Sequence, residues 1–194
     1  KNKRNIYSEA NGKGIIMQIY RIPGHLSTII FDIDSTLYTN QAYAVEQVDV
    51  QIRHFADLRG ISADEARRMV GDYRRKWSAE HNGQKVSLGN TLTAFGVTIQ
   101  DSIHWRQDLL EPSLYLKKDE TLISVLILLK KKYKLICVTN NPVLPARKTL
   151  EAIGIDKIIP DIIGLDTCCK SKPTREPFLA ACKSTQTPPE QCLS

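Results

Sequence analysis

The chain has 194 residues, 42% of them hydrophobic, enough for one sizeable core and a smaller second lobe. Its formal charge of +6 suits a small anionic substrate; no nucleic-acid polymer is expected, because Lys130, Lys131 and Lys132 read as the solvated end of an apolar helix. No run of 18 apolar residues is present, so no membrane is expected as a partner, and the five cysteines, which lack a CxxC spacing, read as reduced thiols of a cytoplasmic protein rather than a zinc site.

Taken in chain order, residues 1–24 read as an irregular leader or packing arm, with Ile15, Ile16, Met17, Ile19 and Tyr20 as its apolar part and Met17 as a candidate natural start. Ser27–Phe31 is a short apolar run and predicts a buried strand. Ala42–Leu58 has helical spacing, with Val45, Val48, Ile52 and Phe55 as its stripe. Gly60 stops that helix. Ser62 and Glu65 form a candidate capping box for a second one, carrying Ala66, Met69, Val70, Tyr73 and Trp77. A helical or mixed stretch follows over Asn90–Leu110. Beyond it the rhythm is helix Glu120–Lys131, strand Lys134–Val138, helix Val143–Ile153 stopped by Gly154, and strand Asp161–Leu165. Thr174 then opens a last helix that turns Phe178 and Leu179 inward. This alternation predicts an α/β fold with a parallel sheet and right-handed crossovers.

The chemistry gathers at the strand ends. Asp32 and Asp34 follow the first strand at a spacing of two and share a face if the segment stays extended. Thr139 directly follows the second strand and so emerges at the same edge. The backbone at Asn140 and the helix entered at Asn141 or Pro142 add N–H groups suited to an anion. Lys172, with Lys170 as its competitor, lies in the loop after the third strand. A carboxylate can attack phosphorus, a second acid can shuttle a proton, and a hydroxyl and an ammonium can hold the transferred oxygens. Carboxylate oxygens and phosphate imply Mg²⁺, held by Asp32 and Asp34.

The segments FDIDSTLY at 31–38, VTNN at 138–141 and SKP at 171–173 stand in the order found in the haloacid dehalogenase-like superfamily, which the chain resembles over roughly residues 28–194. The resemblance implies a Rossmann-like parallel-sheet core (25–39 and 111–194) with a helical cap (40–110) inserted after the first strand. It also implies Asp32 as a nucleophile that becomes an aspartyl phosphate and Asp34 as general acid/base whose main-chain carbonyl meets the metal. Thr139 and Lys172, with Asn140, then bind phosphate. Tyr38 and the segment EPSLYLKKDETL are most similar to the pyrimidine 5′-nucleotidase branch, which points to nucleoside monophosphates; phosphosugars and phosphoserine are alternatives. The expected activity is Mg²⁺-dependent hydrolysis of a small phosphorylated metabolite, against a non-catalytic phosphate-binding or regulatory module on the same core. The family also expects a further strand, a Gly-Asp pair and a second acid after Lys172. Without them the C-terminal core strands are missing and the first strand is an exposed edge, open to homodimer pairing.

Overall fold

The computed structural model describes residues 4–8, 15–19 and 23–194, the first two segments through their backbone. Those two form strands, β1 (Arg4–Ser8) and β2 (Ile15–Ile19), paired antiparallel with Ile6 opposite Met17. The expected irregular leader is therefore corrected over these residues, whose backbones pair as a two-stranded ladder; the rest of that leader, up to residue 22, lies outside the described residues.

The main sheet contains β3 (Thr28–Phe31), β4 (Lys134–Val138), β5 (Ile162–Ile163) and β6 (Cys192–Leu193) in the order β5-β4-β3-β6, all pairs parallel. Its two faces follow the period-two alternation of strand side chains. Ile29, Phe31, Leu135, Cys137 and Ile162 belong to one apolar cluster, while Ile30, Ile136, Val138 and Ile163 belong to another. Helices α5 (Glu120–Lys130) and α6 (Val143–Ile153) supply the first cluster. Helices α7 (Leu165–Cys168) and α8 (Glu176–Ser184) supply the second through Cys168, Phe178 and Ala181.

Helices α1 (Gln41–Arg59), α2 (Ala63–Glu80), α3 (Leu88–Thr93) and α4 (Ile99–Leu109) lie between β3 and the return to the sheet. They carry a core of their own, in which Phe55, Ala66 and Leu92 are fully buried. Each large apolar side chain buried there stabilises the layer by about 1.5–3 kcal/mol, so this insert has its own reason to fold. Both crossings into it are tied to the sheet layer. Asn40 caps α1 by accepting from the Tyr43 N–H and donates to the Tyr115 carbonyl at 2.8 Å, joining the way in to the way out. Lys148 on α6 donates to the Gln107 and Leu110 carbonyls and pairs with Glu111 at 2.9 Å.

Several expectations are corrected. On α1, Val45 is exposed and Val48 borders a cleft, while Tyr43, Val50, Ile52 and Phe55 are buried, because one helix serves two apolar layers and a wet face at once. Ser62 caps α2 through the Glu65 N–H, but the reciprocal capping box is at Thr98 and Asp101. The third strand shortens to Ile162–Ile163, and the last helix starts at Glu176 with Leu179 outward and Ala181 and Cys182 inward. The first strand is not a fully open edge: Thr28 and Ile29 pair with Cys192 and Leu193, and the Thr28 and Thr187 hydroxyls meet at 2.7 Å.

The α1–α2 interface carries an ion network in which Asp49 accepts from Arg53 at 2.5 Å and from Arg67 at 2.7 and 2.8 Å. The Arg67 hydrogen bonds, followed by those of Arg53, hold the Asp49 carboxyl down at about 2. A carboxylate with a depressed folded pKa contributes stability above its unfolded value, about 3.9, and loses it as pH falls through the folded value. Asp49→Asn is therefore expected to lower the urea midpoint at pH 7, with a gap that narrows between about pH 4 and pH 2; a gap constant down to pH 2 would contradict the network's role.

Candidate active site

The parallel pairing sets Phe31 beside Cys137. The residues that follow each strand, Asp32 and Thr139, therefore leave the sheet at its carboxyl edge, where ligands bind in open α/β sheets. Ile33 is buried at 1% exposure while Asp32 and Asp34 on either side of it are not, as alternation of faces requires. The chain then turns through Ser35, which has a φ of 61°, and Leu37 bonds back to the Ile33 carbonyl at 3.0 Å.

The structure brings all the expected residues to this edge. Lys172 Nζ lies 2.5 Å from Asp32 Oδ1 and 2.8 Å from the Val138 carbonyl oxygen, to which it also donates. Asn140 holds the Lys172 backbone: its Oδ1 accepts from the Lys172 N–H at 2.7 Å and its Nδ2 donates to the Lys172 carbonyl at 3.3 Å. Asn140 thus serves first as the clasp that positions Lys172. Lys170, its competitor, is exposed and makes no contact with Asp32. Oδ1 of Asp32 also accepts from the Ile33 N–H, whereas Oδ2 takes no hydrogen bond from any described residue.

Asp34 accepts from four side chains: the Tyr38 hydroxyl at 2.5 Å, Asn141 Nδ2 at 2.9 Å, Gln47 Nε2 at 3.0 Å and the Thr139 hydroxyl at 3.4 Å. Burial first, and then the Asp34 carboxylate beside it, push the Tyr38 phenol far above its ordinary value, so Tyr38 remains a donor throughout the neutral range. Cys137, beneath the site, is pushed up to about 12 by burial and stays a protonated thiol.

A cleft of about 410 Å³ opens here, with Asp34, Asn140, Asn141, Leu165 and Ser171 from the sheet layer on one side. Ala44, Gln47, Val48 and Gln51, one face of α1 at helical spacing, line the other, with Ser87, Gly89 and Arg106. Arg106 on α4 donates to Asn141 Oδ1 at 3.2 Å; burial lowers the guanidinium's pKa, and Asp34 and Asp166 act in the opposite sense. A second hollow of about 440 Å³ lies at the opposite end of the strands, but its Lys130 and Lys134 are bound to main-chain carbonyls and it holds none of the convergent groups.

The residue motifs did not reveal Gln47, Asn141 as a side-chain ligand of Asp34, Arg106, or Asp166. Asp166 caps α6 from outside, accepting from the Val143 N–H at 2.9 Å where Pro142 offers no side-chain cap. Tyr38 was visible as an aromatic four residues after Asp34, and Gln47 as a polar residue on a face shared with Val48 and Gln51; neither signal names a partner.

The family profile for haloacid dehalogenase-like hydrolases matches residues 26–193, which includes every residue of this constellation. The chain belongs to the haloacid dehalogenase-like hydrolases. A phosphoglycolate phosphatase of Colwellia psychrerythraea is 29% identical over 180 residues, covering 85% of this chain and 73% of that protein. In structure, the chain is similar to a HAD phosphatase from Thermococcus onnurineus (TM-score 0.53, 21% identity, 86% of this chain and 75% of that one). It is also similar to a predicted phosphoglycolate phosphatase from Haemophilus somnus 129pt (TM-score 0.52, 18% identity, 86% and 75%). These likenesses establish the same Rossmann-like α/β fold, and the family makes this protein a hydrolase. No described helix is long and apolar enough to cross a membrane.

With Mg²⁺ present, vanadate is expected to bind between Asp32, Thr139 and Lys172. Lys172→Ala should weaken that binding roughly tenfold or more, the size of a lost charge-assisted hydrogen bond, while Lys170→Ala leaves it within about twofold. Equal losses in a titration of the two variants would assign the effect to overall charge rather than to the Lys172–Asp32 geometry.

Proposed function

We propose that this haloacid dehalogenase-like enzyme is a Mg²⁺-dependent phosphomonoester hydrolase that works through an aspartyl phosphate on Asp32. The observation that carries this reading is the division of labour between the two carboxylates. Asp32 has one oxygen fixed by Lys172 and the Ile33 N–H and the other free, as a nucleophile requires. Asp34 is surrounded by polar hydrogens at the mouth of a cleft, where a leaving group or a water would sit.

In this mechanism Asp32 Oδ2 attacks phosphorus in line with the departing alkoxide, and Asp34 gives that oxygen its proton. The same carboxylate then takes a proton from a water that attacks the aspartyl phosphate, releasing inorganic phosphate and restoring Asp32. Thr139 and Lys172 hold the transferred oxygens, and Asn140 holds Lys172. Asp32 and the Asp34 main-chain carbonyl offer oxygen donors of the kind Mg²⁺ takes. Among the described residues no group of three or more His, Cys, Asp or Glu side chains converges, and these two oxygen donors are the ones that would hold the ion here. The bound ion would neutralise charge on the phosphoryl oxygens.

The helices of residues 40–110 act in this reading as a cap that sets substrate choice, because α1, Arg106 and the Ser87–Gly89 turn form the wall facing Asp34. A cleft of this size fits a small phosphorylated metabolite. Nucleoside monophosphates, phosphosugars and short phosphorylated acids are the classes to compare, with the phosphoglycolate phosphatase relative supporting the last. A cytoplasmic setting, in which the five free cysteines stay reduced, belongs to the same proposal.

The test is turnover of an aryl phosphate and of an alkyl phosphate. Asp32→Asn should abolish both. Asp34→Asn should slow the alkyl ester about 10²- to 10⁴-fold and the aryl ester far less, since a good leaving group needs little proton donation. Unchanged turnover in Asp32→Asn would refute the mechanism. Tight phosphate binding with no turnover by the wild-type protein would favour the regulatory-module reading instead.

A further inference from the structure

Of the described residues that line the cleft, Arg106 is the one cation, and it has no carboxylate partner. Its Nη1 donates to the neutral Asn141 amide oxygen at 3.2 Å and its Nε to the Ser102 carbonyl at 3.4 Å; its other N–H groups bond to no described residue. Elsewhere in the cap the guanidinium groups of Arg53 and Arg67 each meet two carboxylates. Asp34, beyond Asn141, and Asp166 act on it only from a distance, and no carboxylate touches it; a partly buried charge without a contacting counter-ion costs stability, so a position that retains one in a cleft points to a ligand that supplies the anion in contact.

The surroundings keep that site open and close to the chemistry. Gly89 faces Arg106, and even a Cβ there would stand 3.8 Å from Nη2, 3.5 Å from Ser102 Oγ and 3.6 Å from Ile99 Cδ1. The hydrogen of the Ser102 hydroxyl is given to Gln51 Oε1 at 3.0 Å, and Gln51 Nε2 bonds to the Gln47 carbonyl at 2.8 Å, so these neighbours are already satisfied and do not compete for the guanidinium. Asn141 spans the remaining gap: its Oδ1 accepts from Arg106 while its Nδ2 donates to Asp34. A group on Arg106 is thus one amide away from the carboxylate proposed to protonate the leaving oxygen.

We infer that Arg106 is a specificity-determining residue that receives a carboxylate carried by the leaving group, so that short phosphorylated carboxylic acids are preferred over phosphomonoesters with a neutral leaving group. This rests on the phosphomonoesterase reading for its substrate class. A planar fork of N–H donors matches a carboxylate. A singly charged group is also the better tolerated one, because Asp34 and Asp166 stand close enough to Arg106 to act on it electrostatically and would repel a second dianion.

The test compares two inert ligands that share a phosphonate, 3-phosphonopropionate and propylphosphonate, by calorimetry with Mg²⁺ present. Wild-type protein should bind the carboxylated one roughly tenfold or more tightly. Arg106→Met, which keeps the side-chain stem, should abolish that preference while propylphosphonate affinity stays within about twofold, which also shows that the variant is folded. Arg106→Lys should recover only part of it, because it restores charge without the fork. In turnover, Arg106→Met should lower kcat/KM for 2-phosphoglycolate about tenfold or more relative to ethyl phosphate. Equal losses for both ligands would mean that Arg106 merely positions Asn141, and a preference for a second phosphate over the carboxylate would mean that the anion is misassigned; either overturns the inference. An Arg106-dependent carboxylate preference in a protein that hydrolyses no phosphomonoester would defeat the hydrolase reading while leaving the subsite intact.

Discussion

The parallel register of β3 against β4 is the constraint on which the site depends. With Phe31 beside Cys137, each strand delivers its next polar residues to one edge, and Asp34 comes within hydrogen-bond reach of Thr139 although 105 residues separate them. The register is itself held by two-sided burial. Cys137 packs into one layer and Ile136 and Val138 into the other, so a slip by one residue would exchange the faces of every side chain in the strand. The site inherits its precision from packing that has no chemical role.

The four helices between β3 and α5 relate to that edge in a different way. Most of their apolar core is separate from the sheet's, although Tyr43 and Val50 of α1 are buried in the sheet layer's cluster; polar ties add to that contact, Asn40 to Tyr115, Lys148 to the end of α4, and the Gln47–Asn141–Asp34–Tyr38 cluster. Hydrogen bonds of this kind contribute about 0.5–1.5 kcal/mol each, far less than the burial of a layer. Asp34, the carboxylate proposed to handle the proton, receives donors from both layers. Gln47 belongs to the four-helix insert and Asn141 to the core, so the position of the insert bears directly on Asp34.

Much of this was readable in the residue order. Apolar runs at Thr28–Phe31 and Lys134–Val138 announced the inner strands, and the acids, hydroxyl and lysine that follow strands announced the edge, because strand ends are set by local pattern. The side chains that surround Asp34 were not, since Gln47, Asn141 and Arg106 have no periodic signature and acquire meaning only when the insert folds back over the sheet. Nor could the stripe of α1 be read correctly: Val45 and Val48 fit a helical period, yet a helix packed between a core, a cap and a cleft has more than one apolar direction. The pairing of Thr28 and Ile29 with Cys192 and Leu193 was equally hidden, as two residues carry no strand signal of their own.

The central claim is that Asp32 becomes phosphorylated. Borohydride added to the enzyme during steady-state turnover reduces an acyl phosphate to an alcohol, converting the aspartate that carried it to homoserine, and peptide mass spectrometry reads the position. The account predicts homoserine at position 32 alone, and only when both substrate and Mg²⁺ are present. Homoserine at another aspartate, or none anywhere while phosphate is being released, would contradict it.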